Sequence, residues 1–169
     1  MPGLRRAGAC FAGVAIAALL ATSCGFQLRG DPAVGIKALH LSTVPGSGVY
    51  TELRRALSSG NTKLVPRPTE AQAHLRILSE GQEKNVYTIT GTGRVYEFQL
   101  RLVVRYDLVV PGRELPLIAP TETEARRVIT YSETAPIAKE AEEQLLYKDM
   151  QVELAGRILR QIALAQRDL

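Results

Sequence analysis

Cysteine is almost missing from this chain, with Cys10 and Cys24 the only two in 169 residues. Histidine is as scarce, represented by His40 and His74 alone. These shortages close several routes. Cys10 falls inside the first 23 residues, whose pattern marks them for removal. The mature chain then keeps Cys24 only and can build neither an internal disulfide nor a cysteine-based zinc site. Neither histidine has a second histidine or a carboxylate at ligand spacing, so each reads as a structural or surface residue. Excess charge of one sign is also lacking. The 21 Lys+Arg and 17 Asp+Glu leave +4, which falls to +2 once Arg5 and Arg6 depart. That excludes a protein that coats nucleic acid, which would need many phosphate-neutralising charges. What is present is the composition of a folded domain, 46% hydrophobic and 22% charged, unlike that of a disordered tail. The 146 residues from Cys24 onward suffice to bury about two-thirds of their unfolded surface in a single core.

Arg5 and Arg6 precede an uncharged, Ala/Leu-rich run from Ala7 to Ala21, closed by Thr22-Ser23-Cys24. A basic start, a short apolar stretch and small residues before a break describe a secretory signal peptide over residues 1–23. The run is shorter than the roughly 20 apolar residues of a membrane-spanning helix. Small residues directly before a cysteine resemble the lipobox of bacterial lipoproteins, with Ala21 where that motif prefers Leu. The resemblance implies S-diacylglycerol and N-acyl lipid on Cys24, the new N-terminus, and no other cofactor. Several acyl chains together make a lasting anchor where one is marginal. Gly25 follows where an Asp commonly retains enteric lipoproteins at the inner membrane, which favours the outer membrane. The alternative is an ordinary signal cleaved nearby, with Cys24 incidental.

The remainder reads as one α+β domain, residues 24–169. Ile36 to Val44 is a short strand with Leu39 and Leu41 on one face, broken by Pro45-Gly46-Ser47-Gly48. Val49, Leu53, Ala56 and Leu57 then recur at helical spacing up to Gly60. Lys63 to Val65 and Ala73 to Glu80 return to an extended pattern, Gly81 interrupts it, and Val86 to Thr90 resumes with β-branched and aromatic residues. Gly91 to Arg94 is a turn. From Tyr96 to Val110 every even position is apolar, whereas Glu97, Gln99, Arg101, Arg105 and Asp107 stand at odd ones. This predicts a long two-faced strand with Phe98, Leu100, Leu102 and Val104 directed into the core. Pro111-Gly112-Arg113 turns the chain into a Thr-rich partner strand, Leu117 to Tyr131. A last helix begins near Pro136. Its expected apolar stripe is Ala138, Ala141, Leu145, Val152, Ala155, Leu159 and Ile162. Glu140, Glu142 and Glu143 near its start and Arg157, Arg160 and Arg167 near its end complement the helix dipole. The order β-α-β-β-β-α predicts a mixed four-stranded sheet with both helices on one face.

Chemistry is hard to find. Gly91-x-Gly93 lacks the third glycine of a dinucleotide fingerprint and sits between strands. No phosphate-binding loop, G-x-S-x-G or H-E-x-x-H occurs, and the three glutamates read as a solvated helix face. A non-catalytic, anchored binding module is the expectation. Cys24-Gly25-Phe26-Gln27-Leu28-Arg29-Gly30 resembles the mature start of the LptE family of lipopolysaccharide-assembly lipoproteins. The likeness continues through Glu97 to Leu100, Val110 to Arg113 and Ile137 to Gln144.

That resemblance implies a protein held to the outer membrane by Cys24, seated as a plug within the LptD β-barrel and assisting its assembly. It also implies contact with lipopolysaccharide, whose anionic inner region calls for Lys or Arg. Basic residues at a hairpin tip and near the last helix carry that role in the family. Lys139 matches directly, and Arg94 matches as a displaced substitute, because the family position itself is Gly91. The competing reading is a periplasm-facing lipoprotein that binds another envelope protein or the cell wall. A third, an anchored hydrolase, requires a catalytic cluster in the fold. Cys24→Ala is expected to abolish acyl labelling and leave an unprocessed or soluble form whose fold survives; normal labelling of that variant would refute the anchor.

Overall fold

Three long strands run through the middle of the chain, and their apolar side chains decide where everything else packs. The computed structural model describes residues 34–168; Cys24 and the expected signal segment lie outside the described residues. The elements are β1 (Ala38–Ser42), α1 (Gly48–Ser59), β2 (Lys63–Leu64), β3 (Ala73–Ile89), β4 (Val95–Val109), β5 (Ile118–Thr130) and α2 (Pro136–Ala165). The sheet has five strands in the order β2-β1-β3-β4-β5, where the sequence predicted four. β1 runs parallel to β2 and β3, while β3, β4 and β5 form an antiparallel meander. The additional strand is the two-residue β2, which lies within the extended stretch from Lys63 to Val65 but is not counted as a separate strand in the predicted order. Gly81 does not interrupt β3. It pairs with Val103 inside the ladder, and the irregularities fall instead between Ile77 and Ser79 and near Thr88.

Both helices cover one face of the sheet. Leu39, Leu75, Leu100, Leu102, Val104 and Leu108 from the strands meet Val49, Leu53 and Leu57 of α1 and Met150, Leu154, Ile158 and Ile162 of α2 in a single buried cluster. The even-numbered face of β4 is buried from Leu100 to Leu108 as its alternation predicts, whereas Phe98 is only partly covered and Tyr96, at the strand's start, is exposed. α1 starts where Glu80 of β3 reaches it. The Glu80 carboxylate accepts from Gly48 N, Val49 N and Ser47 Oγ, and Ser47 Oγ in turn accepts from Tyr50 N at 3.0 Å. Otherwise unpaired amides at the helix start thus gain both a hydroxyl cap and a negative charge.

Three expectations are corrected. In α2 the buried row is Tyr147, Met150, Leu154, Ala155, Ile158, Leu159 and Ile162, whereas Ala138, Ala141, Leu145 and Val152 are exposed, Leu145 by 68%. The expected row had seven-residue spacing, and a straight helix carries such a row sideways by about 20° per heptad. Only its later members therefore reach the core. The helix dipole is also less well matched than expected, because no acid lies in the first turn of α2 and no base in its last. Finally, Asp107 does not face water. It is 1% exposed and accepts from both Nε and Nη2 of Arg76, the first bond measuring 2.7 Å. A buried carboxylate survives there because a planar guanidinium satisfies both of its oxygens.

On the sheet face opposite the helices, charges run across the meander. Arg101 of β4 reaches Glu83 of β3 at 3.0 Å and Glu124 of β5 at 2.5 Å. Arg101 holds the Glu124 carboxyl below the usual carboxylate range. Nearer β1, His40 and His74 are register partners with ring centroids 4.4 Å apart. His40 Nδ1 lies 3.0 Å from Val65 O, and His74 Nε2 lies 3.0 Å from Ser42 Oγ. Both imidazoles thereby fasten β1 to its neighbours. On β5, the edge strand, Pro120 falls where the strand carries one residue more than β4, between the pairs Tyr106–Thr121 and Leu108–Ile118. A proline is tolerated at such a place because no ladder donor is required of it. Further along, Arg157 of α2 donates to Glu124 O at 2.7 Å.

Two predictions follow from this packing. Leu100→Ala and Leu102→Ala are each expected to cost about 2–5 kcal/mol, and unchanged urea midpoints for both would contradict the assigned core. The second concerns acid. Burial, then the His40 ring and Arg76, lower the pKa of His74 from 6.5, against a weaker opposing pull from Asp107. The unfolded chain therefore takes up this proton first as pH falls. The stability held by neutral His74 is complete above about pH 6.5 and declines below it. Between about pH 7.5 and about pH 5, wild type should lose more of its urea midpoint than His74→Gln; equal losses would count against it.

Candidate functional site

Lys139, the fourth residue of α2, stands where the helix starts over the far end of the sheet. Pro136 opens this helix at a position where its missing N–H costs nothing. The chain leaves β5 at Thr130, so a short connection returns Lys139 to that strand. Its Nζ donates to Thr130 Oγ1 at 2.9 Å and to Glu142 Oε2 at 2.9 Å. Arg94 lies elsewhere. It ends the β3–β4 turn, where Gly93 takes a φ of 80° that favours glycine. The Arg94 backbone is tied to Thr90 at both its N–H and its carbonyl. Its side chain is exposed, and among the described residues it makes no ion pair.

Lys139 borders a cleft of about 330 Å³ between the first turns of α2 and the ends of β4 and β5, and Arg94 is not part of its wall. The second cation there is Lys84, which sequence reasoning missed. Lys84 is the register partner of Leu100, so it shares the helix-covered face of the sheet. Its Nζ donates to Glu143 Oε2 at 2.5 Å and sits 4.7 Å from the centre of the Phe98 ring. Phe98 meets Tyr131 edge to face, with centroids 5.8 Å apart. The register of β3 against β4 was the signal that could have found Lys84, and the supposed break at Gly81 hid it. The cleft thus offers two ammonium groups, an aromatic floor, the Thr130 hydroxyl and the Gln144 amide.

The other places where chemistry could reside are less equipped. A cleft of about 420 Å³ beside the end of α1 has, among the described residues, Lys37 as its only charged wall residue. Ser42 and His74 form a hydroxyl–imidazole pair, but both oxygens of nearby Asp107 are taken by Arg76. The acid that would orient the imidazole in a nucleophilic triad is therefore engaged elsewhere. Glu140, Glu142 and Glu143 flank the Lys139 cleft, and two of them are paired with lysines. Among the described residues, no group of three or more His, Cys, Asp or Glu could hold a metal ion, and no helix is long and apolar enough to cross a membrane.

The chain is similar to known proteins along most of its length. The family model for LptE, described as lipopolysaccharide-assembly, matches residues 36–162. The LPS-assembly lipoprotein LptE of Pectobacterium atrosepticum is 27% identical over 152 residues, covering 87% of this chain and 80% of that protein. Lipoprotein B from Nitrosomonas europaea is 29% identical with a TM-score of 0.70, covering 82% of this chain and 90% of that one. Rare lipoprotein B from Shewanella oneidensis is 27% identical with a TM-score of 0.69, covering 78% and 98% respectively. With the family model matched across both helices and all five strands, from before β1 to late in α2, this chain belongs to the LptE family of lipopolysaccharide-assembly proteins.

Proposed function

We propose that this protein is a non-catalytic lipoprotein, anchored in the outer membrane by acylated Cys24. In this reading it occupies the lumen of the LptD β-barrel, assists that barrel's assembly and takes part in moving lipopolysaccharide to the outer leaflet. The observation that carries it is the family match over residues 36–162, joined to a lone mature cysteine behind an apolar signal. A large barrel has a polar interior. The charged ladder centred on Arg101 gives this fold a polar sheet face suited to such surroundings. A non-catalytic role agrees with a His74 whose neighbouring acid is committed to Arg76.

Lipopolysaccharide contact is assigned to Lys139, the cation beside the Thr130 hydroxyl, with Arg94 at the hairpin tip as a secondary contact. The full chain, expressed with its signal segment and extracted in gentle detergent, is expected to copurify with LptD; recovery with peptidoglycan or another envelope protein instead would overturn the barrel reading. Lys139→Asp should weaken lipopolysaccharide binding while leaving barrel copurification intact, and Arg94→Asp should add a smaller loss. Binding should also decline with salt, because exposed charges are screened over about 10 Å at 0.1 M ionic strength. Unchanged affinity of a folded double variant at low salt would remove both residues from the contact.

A further inference from the structure

We infer that the cleft at the start of α2 is a subsite for a phosphorylated sugar, in which Glu143 and Glu142 occupy the lysines that the ligand's phosphate takes over. The inference rests on the reading that Lys139 touches lipopolysaccharide, and it adds Lys84 as the second cation and a pair of internal competitors. Lys84 Nζ is bound to Glu143 at 2.5 Å and Lys139 Nζ to Glu142 at 2.9 Å. Each carboxylate holds one ammonium group. A phosphate monoester carries more charge than a carboxylate and presents three acceptor oxygens, so one group can serve both lysines. Ion pairs this close to solvent are weak and exchangeable.

The rest of the wall identifies the remainder of the ligand. Phe98 lies under Lys84, and Tyr131 stands edge-on beside it. A ring in that position offers apolar surface to the C–H face of a sugar, and its contact with the ammonium orients Lys84 toward the cleft. Thr130 and Gln144, also in the wall, can bond sugar hydroxyls. A bare phosphate would use the lysines and leave the aromatic floor idle. Glu140 and Glu143 both line the wall, and Glu142 stands beside it on Lys139, so three acids outnumber the two lysines around the cleft. The acids therefore hold anion affinity down, and removing one should raise it.

The test titrates the purified, acylated full chain, in nonionic detergent at low salt, with N-acetylglucosamine 1-phosphate, N-acetylglucosamine or inorganic phosphate. Amide shifts of Phe98, Thr130 and Tyr131 report occupancy. The sugar phosphate should perturb these signals saturably and more tightly than either fragment. Lys84→Met should weaken it and Glu143→Gln should tighten it, each by about two- to fivefold, the range of one exposed ion pair. Inorganic phosphate binding as tightly as the sugar phosphate would overturn recognition of the sugar. Wild-type affinity in both the Lys84 and Glu143 variants, alongside weaker lipopolysaccharide binding by Lys139→Asp, would overturn this inference and leave the Lys139 contact standing. The reverse pattern, with sugar phosphate responding at Lys84 and Glu143 while Lys139→Asp binds lipopolysaccharide normally, would support the subsite and refute Lys139 as the lipopolysaccharide contact.

Discussion

Strand β4 lies between the two other long strands, and keeping its even-numbered side chains dry governs the architecture around it. Leu100, Leu102, Val104, Tyr106 and Leu108 are all buried on one face. A strand with one greasy face has a single orientation it can adopt, since a one-residue slip would send every apolar group to water. β3 and β5 inherit that polarity through their ladders with β4. The two helices then have one surface to cover. The opposite surface is left to charged and hydrogen-bonded pairs such as Arg101 with Glu124 and His74 with Ser42. Asp107 is the exception that tests this division. It lies among buried neighbours on the strand, and only the two bonds from Arg76 make its burial tolerable.

How much could be read in the sequence depended on how strictly a segment alternates. The alternation from Tyr96 to Val110 gave the buried face of β4 residue for residue from Leu100 to Leu108, since each even position has one face to choose. Gly81 misled because glycine usually marks a break, whereas here it sits opposite Val103 in an intact ladder. The stretch after it is largely exposed, so no apolar rhythm announced that the strand continues. In α2 the difficulty was geometric. Leu145 and Val152 share a seven-residue row with Leu159, yet a helix of 3.6 residues per turn rotates that row toward the core only at its end. The Ser47–Glu80 cap was unreadable for another reason: its partners are 33 residues apart, and only the sheet brings them together.

The candidate site shows the same limits. Lys139 was identifiable through family likeness, because its neighbours along the chain carry the pattern. Lys84 has no such context. It becomes significant once β3 and β4 are paired and α2 is laid across them, bringing Phe98, Glu143 and Thr130 into one wall. Arg94 illustrates the converse: a residue at a suggestive place in the sequence, the hairpin tip, that lies outside the cleft holding Lys139.

The bond from Arg157 to the carbonyl of Glu124 has a meaning for the protein before it meets any partner. Tyr131 N bonds Tyr96 O, so odd-numbered residues of β5 face β4 and the Glu124 carbonyl points to the sheet's open border. An unpaired border strand is a template on which other extended chains can polymerise. Here the helix that shields the core also stoppers that template. Detachment of α2 would bare greasy surface and free this carbonyl of the border strand in the same event. Retaining α2 therefore guards the border strand against pairing with a second extended chain.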